Sequence, residues 1–257
     1  MDVAAPAGIG LAFVVIMVSM VMEGGNPASL IAPPALVLVF GGTLMVSMAG
    51  GTIADFKLSL GALKTAFTGG VKPAADVVPA IVSLADKARR EGLLALEEMV
   101  KDMPDEFLVK GVTMAIDGTD PDEVRDILEA EVAAKKKSDK QAAKFFADAG
   151  AYAPTIGIIG TVMGLVHVLE NLAQPEELGH LIAAAFLATL WGVMSANVMW
   201  LPIASRLKRL SELEAQRMEL IIEGVAAIQA GANPRVIQQK LISLLPAGQQ
   251  PPAAEAA

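Results

Sequence analysis

The sequence predicts an all-α integral membrane protein with four transmembrane helices and a large helical cytoplasmic domain. Three observations carry that prediction. Hydrophobic residues make up 54% of the 257, with a mean hydropathy of +0.52, more than an ordinary soluble domain carries. Four strongly apolar segments, 7–22, 31–50, 152–170 and 181–204, contain no Lys or Arg. All 20 Lys and Arg residues fall instead in two stretches, 57–144 and 206–240. Basic residues stay on the cytoplasmic side, so the chain reads as two membrane hairpins around one cytoplasmic domain, with both termini cytoplasmic.

The first span follows only Met1 and Asp2. It has no basic leader and no polar mature protein behind it, so it is a retained helix rather than a signal peptide. Glu23-Gly24-Gly25-Asn26-Pro27 ends it in a tight turn. The second span opens on Pro33 and Pro34, where a missing N–H costs least. Helical spacing of Ile53, Phe56, Leu60, Leu63 and Phe67 predicts a helix over 52–68, broken by Gly69-Gly70. Asp76 to Met103 reads as one longer amphipathic helix ended by Pro104, and Asp105–Ile116 as the next. Asp120 then caps a helix whose first residue is Pro121, with Asp122 and Glu123 at its positive end. No breaker precedes Gly150, so this helix is expected to run directly into span three. A polar outer link, Asn171–Gly179, leads to span four, whose inner end is anchored by Arg206, Lys208 and Arg209. The helical rhythm continues to about Gln229, and a short helix to Leu245 follows Gly231-Ala232-Asn233-Pro234.

The expected organisation is therefore a first hairpin over 1–50, a cytoplasmic helical domain over 51–150 and a second hairpin over 151–204. Cytoplasmic C-terminal helices over 205–245 and a disordered Pro/Ala/Gln-rich tail over 246–257 complete it. Cys is absent, which excludes disulfides and thiol chemistry. The net charge of -8 comes from acids interspersed with the bases, and no basic patch suggests nucleic acid. Gly (23) is abundant and aromatics make up only 4%, so the helices are suited to pack closely on protein as well as lipid. No nucleophile triad, phosphate loop or metal-ligand cluster is present, so no catalytic residue, cofactor or metal is expected; His167 and His180 are isolated.

The spans also lack any acid near mid-depth, although ion translocation normally needs an ionisable membrane group. Their polar candidates are Thr43, Ser47, Thr155, Thr161, Thr189, Ser195 and Asn197, each equally able to make a local or interhelical hydrogen bond. Pro154 and Pro202 stand at the inner ends of spans three and four, where each frees a carbonyl and introduces a bend.

Three segments, in order and on this topology, resemble the MotA/PomA flagellar stator subunit family of the MotA/TolQ/ExbB superfamily. They are Ala88-Arg89-Arg90-Glu91-Gly92-Leu93-Leu94-Ala95-Leu96-Glu97-Glu98, Pro154-Thr155-Ile156-Gly157-Ile158-Ile159-Gly160-Thr161-Val162-Met163-Gly164-Leu165, and Ala188-Thr189-Leu190-Trp191-Gly192 through Ala196-Asn197 to Pro202. The resemblance covers roughly 5–230. It implies a non-enzymatic motor subunit of the bacterial inner membrane, assembled as a homopentamer around a dimer of a single-span, peptidoglycan-anchored MotB/PomB-type partner. That partner's membrane aspartate supplies the acid missing here, and ion flow turns the pentamer against the rotor switch protein. The resemblance assigns Arg89, Arg90, Glu97 and Glu98 to the torque interface. It assigns Pro154, Thr161, Thr189, Asn197 and Pro202 to the ion path and its coupling. Arg90 stands seven residues before Glu97 and eight before Glu98, a spacing that lets these charges share one broad helix face.

The sodium-type pattern has two adjacent threonines where this chain has Ala188-Thr189. With one hydroxyl ligand fewer, H⁺ is favoured over Na⁺ as the translocated ion. The alternatives are an ExbB/TolQ-like energiser, which usually has three spans, a lone transporter, which would need a membrane carboxylate, and a structural scaffold.

Overall fold

The computed structural model describes residues 3–250, and the regular structure among them is all helical. Nine helices are α1 (Ala4–Met22), α2 (Pro33–Ala49), α3 (Ile53–Thr68), α4 (Val78–Glu91), α5 (Glu97–Lys101), α6 (Glu106–Ile116), α7 (Pro121–Glu170), α8 (Pro175–Gln229) and α9 (Pro234–Leu244). They form two compact units. The first comprises residues up to Gly70 with Asp139–Arg209; the second comprises Val71–Ser138 with the chain from Leu210 onward.

The first unit contains the apolar segments. Among the described residues, α1, α7 and α8 are long and apolar enough to cross a membrane. The expected second span is present as α2, an apolar helix of only 17 residues with a π turn at Val37–Gly41. α1 buries none of its residues against the rest of the chain, as suits a helix whose apolar side chains meet lipid. The core of this unit combines small and aromatic residues: Ala143, Ala149, Ala153 and Ala196 surround Phe145, Phe146 and Trp200. Phe40 reaches both Trp191 and Trp200, at ring-centroid distances of 5.9 and 6.3 Å. Trp191 Nε1 donates to the Leu30 carbonyl at 2.8 Å, which fixes the entry to α2.

α7 is a single helix from Pro121 to Glu170, as the lack of a breaker predicts. Asp120 starts it, accepting from the Asp122 and Val124 amides at 2.9 Å each. The outer link is shorter than expected. Only 171–174 is non-helical, because Pro175 is well placed as a first helical residue and Glu176 and Glu177 favour the positive end of α8.

The second unit has the core of a water-soluble helical domain. Ile81, Leu84, Leu96, Leu108, Leu128, Ile221, Ile228, Ile237 and Leu241 are wholly buried. Asp105 caps α6 through the Phe107 and Leu108 amides and pairs with Arg217, both side chains being largely buried. The single helix expected over Asp76–Met103 is not formed. Gly92 adopts φ +88, a conformation in which a helix cannot continue, and separates α4 from a 3₁₀ turn at Leu93–Leu96 and from α5. The start of the expected disordered tail is ordered: Ala247–Gln249 forms a turn, and Gln249 Oε1 accepts from the Ala74 amide at 3.0 Å. The rest of that tail, 251–257, lies outside the described residues.

Candidate functional site

The polar residues of spans three and four meet because glycine lets two backbones touch. A Cβ on Gly157 would stand 2.7 Å from the Ala188 carbonyl oxygen and 3.2 Å from Gly192 Cα; one on Gly192 would stand 2.6 Å from the Ala153 carbonyl oxygen. Further along the crossing, Gly160 faces Ala188 and Gly164 faces Ala185, each with no room for a Cβ. Small residues at such a crossing are what membrane helices need for close packing.

The close approach brings Thr161 and Thr189 into direct hydroxyl–hydroxyl contact. Thr161 Oγ1 is also 3.0 Å from the Ala185 carbonyl and 3.2 Å from that of Gly157, while Thr189 Oγ1 is 3.4 Å from the Gly157 carbonyl. Each hydroxyl has one proton to donate, so the pair can satisfy its donors on each other and on carbonyls while lone pairs stay available. Both threonines are half-buried, and their neighbours Ile158, Ile159, Val162, Phe186, Leu190 and Val193 are exposed apolar residues. The pair is a patch of oxygen ligands on an otherwise apolar membrane surface. It can pass a proton or contribute to a cation's shell, but it has no carboxylate of its own.

Asn197 does not join this pair. Its side chain is exposed and donates to the Val193 carbonyl at 2.8 Å within its own helix. It sits in a π turn, Ala196–Trp200, that ends just before Leu201 and Pro202. The widened turn accommodates Pro202, whose ring would otherwise press on the carbonyl four residues earlier. Pro154 lies inside α7 and leaves the Gly150 carbonyl without its usual donor. Gly150 itself is in tight contact with Leu201, since a Cβ there would be 2.5 Å from Leu201 Cδ2. Arg206, one turn beyond Pro202, donates to the Gly69 carbonyl at 3.3 Å.

In the second unit, Arg89 and Arg90 are in the last turn of α4, and Glu97 and Glu98 in the first turn of α5. All four are exposed. Arg90 pairs with Asp86 at 3.0 Å and Glu97 with Lys101 at 3.9 Å. The spacing argument for a shared helix face therefore fails, because Gly92 ends the helix between the two pairs. The charges flank a bend instead. Each pair sits at the helix end its charge favours, the arginines at a negative C-terminus and the glutamates at a positive N-terminus.

Taken one by one, the residues of the sequence give no role to Gly157 or Gly192. The spacing Gly157, Gly160, Gly164 opposite Ala185, Ala188, Gly192 was the available signal. It becomes meaningful only once the two helices are known to cross there. Buried Thr43 and Ser47 do not bond to the Thr161–Thr189 pair, and neither hydroxyl has a hydrogen-bond partner among the described residues.

Comparison with known proteins gives consistent matches. A family model described as the MotA/TolQ/ExbB proton channel family matches residues 99–220. Motility protein A of Bacillus subtilis (strain 168) is 39% identical over 248 residues, covering 96% of this chain and 92% of that protein. Chemotaxis protein PomA of Vibrio alginolyticus is 34% identical over 250 residues, covering 97% and 98%. The flagellar MotAB stator complex from Bacillus subtilis contains a chain that matches with a TM-score of 0.88 and 38% identity, over 96% of this chain and 97% of that one.

Proposed function

We propose that this chain, which belongs to the motility protein A group of the MotA/TolQ/ExbB proton channel family, is the torque-generating membrane subunit of a flagellar stator. The observation that carries the mechanism is the Thr161–Thr189 hydroxyl pair at a glycine-lined crossing, in spans that contain no mid-depth acid. Such a chain has oxygen ligands for an ion path but not the ionisable group that path requires. A single-span partner of the MotB/PomB type supplies the carboxylate, and the solved relative is itself a MotAB complex.

In this reading α2 is also a membrane span, which brings their number to four. Its 17 residues reach about 25 Å at 1.5 Å each, the lower limit for a span, and the 3₁₀ turn at Pro27–Leu30 extends it outward. The basic stretches place the second unit and both termini in the cytoplasm. Five subunits surround the partner dimer. Arg89, Arg90, Glu97 and Glu98, exposed on either side of the Gly92 bend, meet the charged rotor switch protein. Pro154 and Pro202 convert ion occupancy near the threonine pair into movement of the helices that continue from spans three and four. The ion is H⁺, because the Ala188-Thr189 sequence offers one hydroxyl where a sodium shell would use two.

Co-expression with a MotB-type partner in cells lacking their own stator subunits tests this directly. Rotation of a tethered bead should be restored, persist without sodium and stop when the proton gradient is dissipated. Failure to co-purify with any single-span partner would refute the stator assignment. Saturable dependence on external sodium would refute only the choice of ion.

A further inference from the structure

Leu94 is the most exposed large apolar side chain of the second unit among the described residues, at 75%. It stands in the 3₁₀ turn Leu93–Leu96. Such a turn repeats about every three residues, so Leu93 and Leu96 share a face. That face is the core face, because Leu96 is wholly buried and Leu93 packs against the same cluster. Leu94 therefore projects away from the core. Its backbone is held: the Ala95 amide donates to the Gly92 carbonyl at 3.2 Å, and the Gly92 amide to the Ala88 carbonyl at 2.8 Å. Gly92 is needed here for its φ of +88 and not for space, since a Cβ on it would meet nothing within 4 Å.

A single exposed leucine on a protein surface is ordinary. The surroundings of this one are not. Leu94 lies four residues after Arg90 and three before Glu97, so the bend that carries it has Arg89 and Arg90 before it and Glu97 and Glu98 behind it, all exposed. An apolar side chain with charges of both signs around it has the anatomy of an interface centre and its rim. Because the backbone is already fixed, little freedom is left to lose when a partner covers the side chain.

We propose that Leu94 is the apolar anchor of the rotor contact: it enters an apolar hollow on the rotor switch protein, rimmed by acids toward Arg89 and Arg90 and by bases toward Glu97 and Glu98. The inference rests on the reading that these four charges face the rotor. The two kinds of contact do different work. Exposed charges steer the approach and fix its orientation, and salt screens them. Burial of an apolar side chain is non-directional and does not depend on charge, so Leu94 supplies the part of the hold that salt leaves in place.

The test is binding of the purified rotor switch protein to the intact complex of this chain with its partner. It is read at about 0.1 M and about 1 M salt, between which the screening length falls from about 10 to about 3 Å. Leu94→Ala should weaken binding about tenfold at both salts, with the thermal midpoint of the complex unchanged. Leu94→Met, which keeps the bulk, should bind within about twofold of wild type. Arg90→Gln should lose affinity at the lower salt and match wild type at the higher. Unaltered binding by Leu94→Ala would overturn the proposal, as would a loss confined to the lower salt, which would assign the contact to charge alone. So would a lowered thermal midpoint or a complex that has shed subunits, since either shows that this chain or a second copy of it already covers Leu94. Failure of the underlying reading is separately visible: the wild-type complex would then not bind the rotor switch protein at either salt, and this inference would fall with it.

Discussion

The two units of this chain solve the packing problem in opposite ways. In the second, large aliphatic side chains such as Leu108, Leu128 and Ile221 are fully buried, and the Asp105–Arg217 pair is a largely buried exception among charges otherwise left at the surface. In the first, Ile158, Ile159, Val162 and Phe186 are exposed, and the closest contacts are made by Gly157, Gly160, Gly164 and Gly192. The physical reason is the solvent. Water expels apolar surface, so the second unit is held by burial. Lipid tails do not, so membrane helices gain from close van der Waals contact and from hydrogen bonds, both of which small residues permit. Stability should therefore respond to removal of bulk in one unit and to its addition in the other.

The largest expected effect tests the burial side. Ile221→Ala, at a side chain with 0% exposure, should cost about 2–5 kcal/mol, read as a drop in the thermal midpoint of the purified complex. An equivalent loss from Ile158→Ala, at a side chain exposed on its helix, would break the comparison. Next comes Gly157→Ala, which adds one methyl where Ala188 O stands 2.7 Å away. It should cost about 1–3 kcal/mol by forcing the helices apart, and should also separate Thr161 from Thr189. Measured stability equal to wild type would show that the crossing has slack the structure does not reveal.

Thr161→Val sharpens the contrast between stability and function. A membrane hydrogen bond is worth about 0.6 kcal/mol on average, so the thermal midpoint should barely move while bead speed falls sharply. Unchanged speed would remove Thr161 from the ion path. The acid response of the second unit is smaller still. Arg125 at 2.7 Å and Lys240 at 2.6 Å hold the Glu223 carboxyl below its ordinary value of 4.5. The stabilisation is complete above that ordinary value and disappears as pH falls through the lower folded one. Glu223→Gln should therefore lower the midpoint at neutral pH and flatten its decline in acid; parallel curves would show that the pairs contribute nothing. The smallest effect on stability is expected from Arg90→Glu and Glu98→Lys. Both side chains are exposed, and the Arg90–Asp86 pair at 3.0 Å is worth at most about 1 kcal/mol. Motility should nonetheless fall in swimming assays, with membrane levels unchanged, and normal swimming in both would remove them from the rotor contact.

Much of the architecture was legible because it depends on local chemistry. Asp120-Pro121 starts a helix wherever it occurs with acids behind it, and 50 residues without a breaker continue one. Thr52, three residues past the end of α2, and Asp55 form a capping box for α3. The missed break at Gly92 has a different origin. A lone glycine between Glu91 and Leu93 is compatible with either a helix or its end, and its φ of +88 goes with Leu96 being buried in the core. Arg89, Arg90, Glu97 and Glu98 are thus assigned to the torque interface by resemblance alone, since the shared helix face proposed from their spacing does not exist.

The membrane class and most helix starts are legible in the sequence, since hydropathy and caps act within a few residues of chain. Only the packing of the chain sets that Thr161 touches Thr189, that Asn197 does not, and that Ser47 lines a small pocket together with Gln141 and Lys144. Those contacts join residues up to about a hundred positions apart. They depend on whether two helices cross at their glycines, and spacing along one helix does not encode where its neighbour will lie.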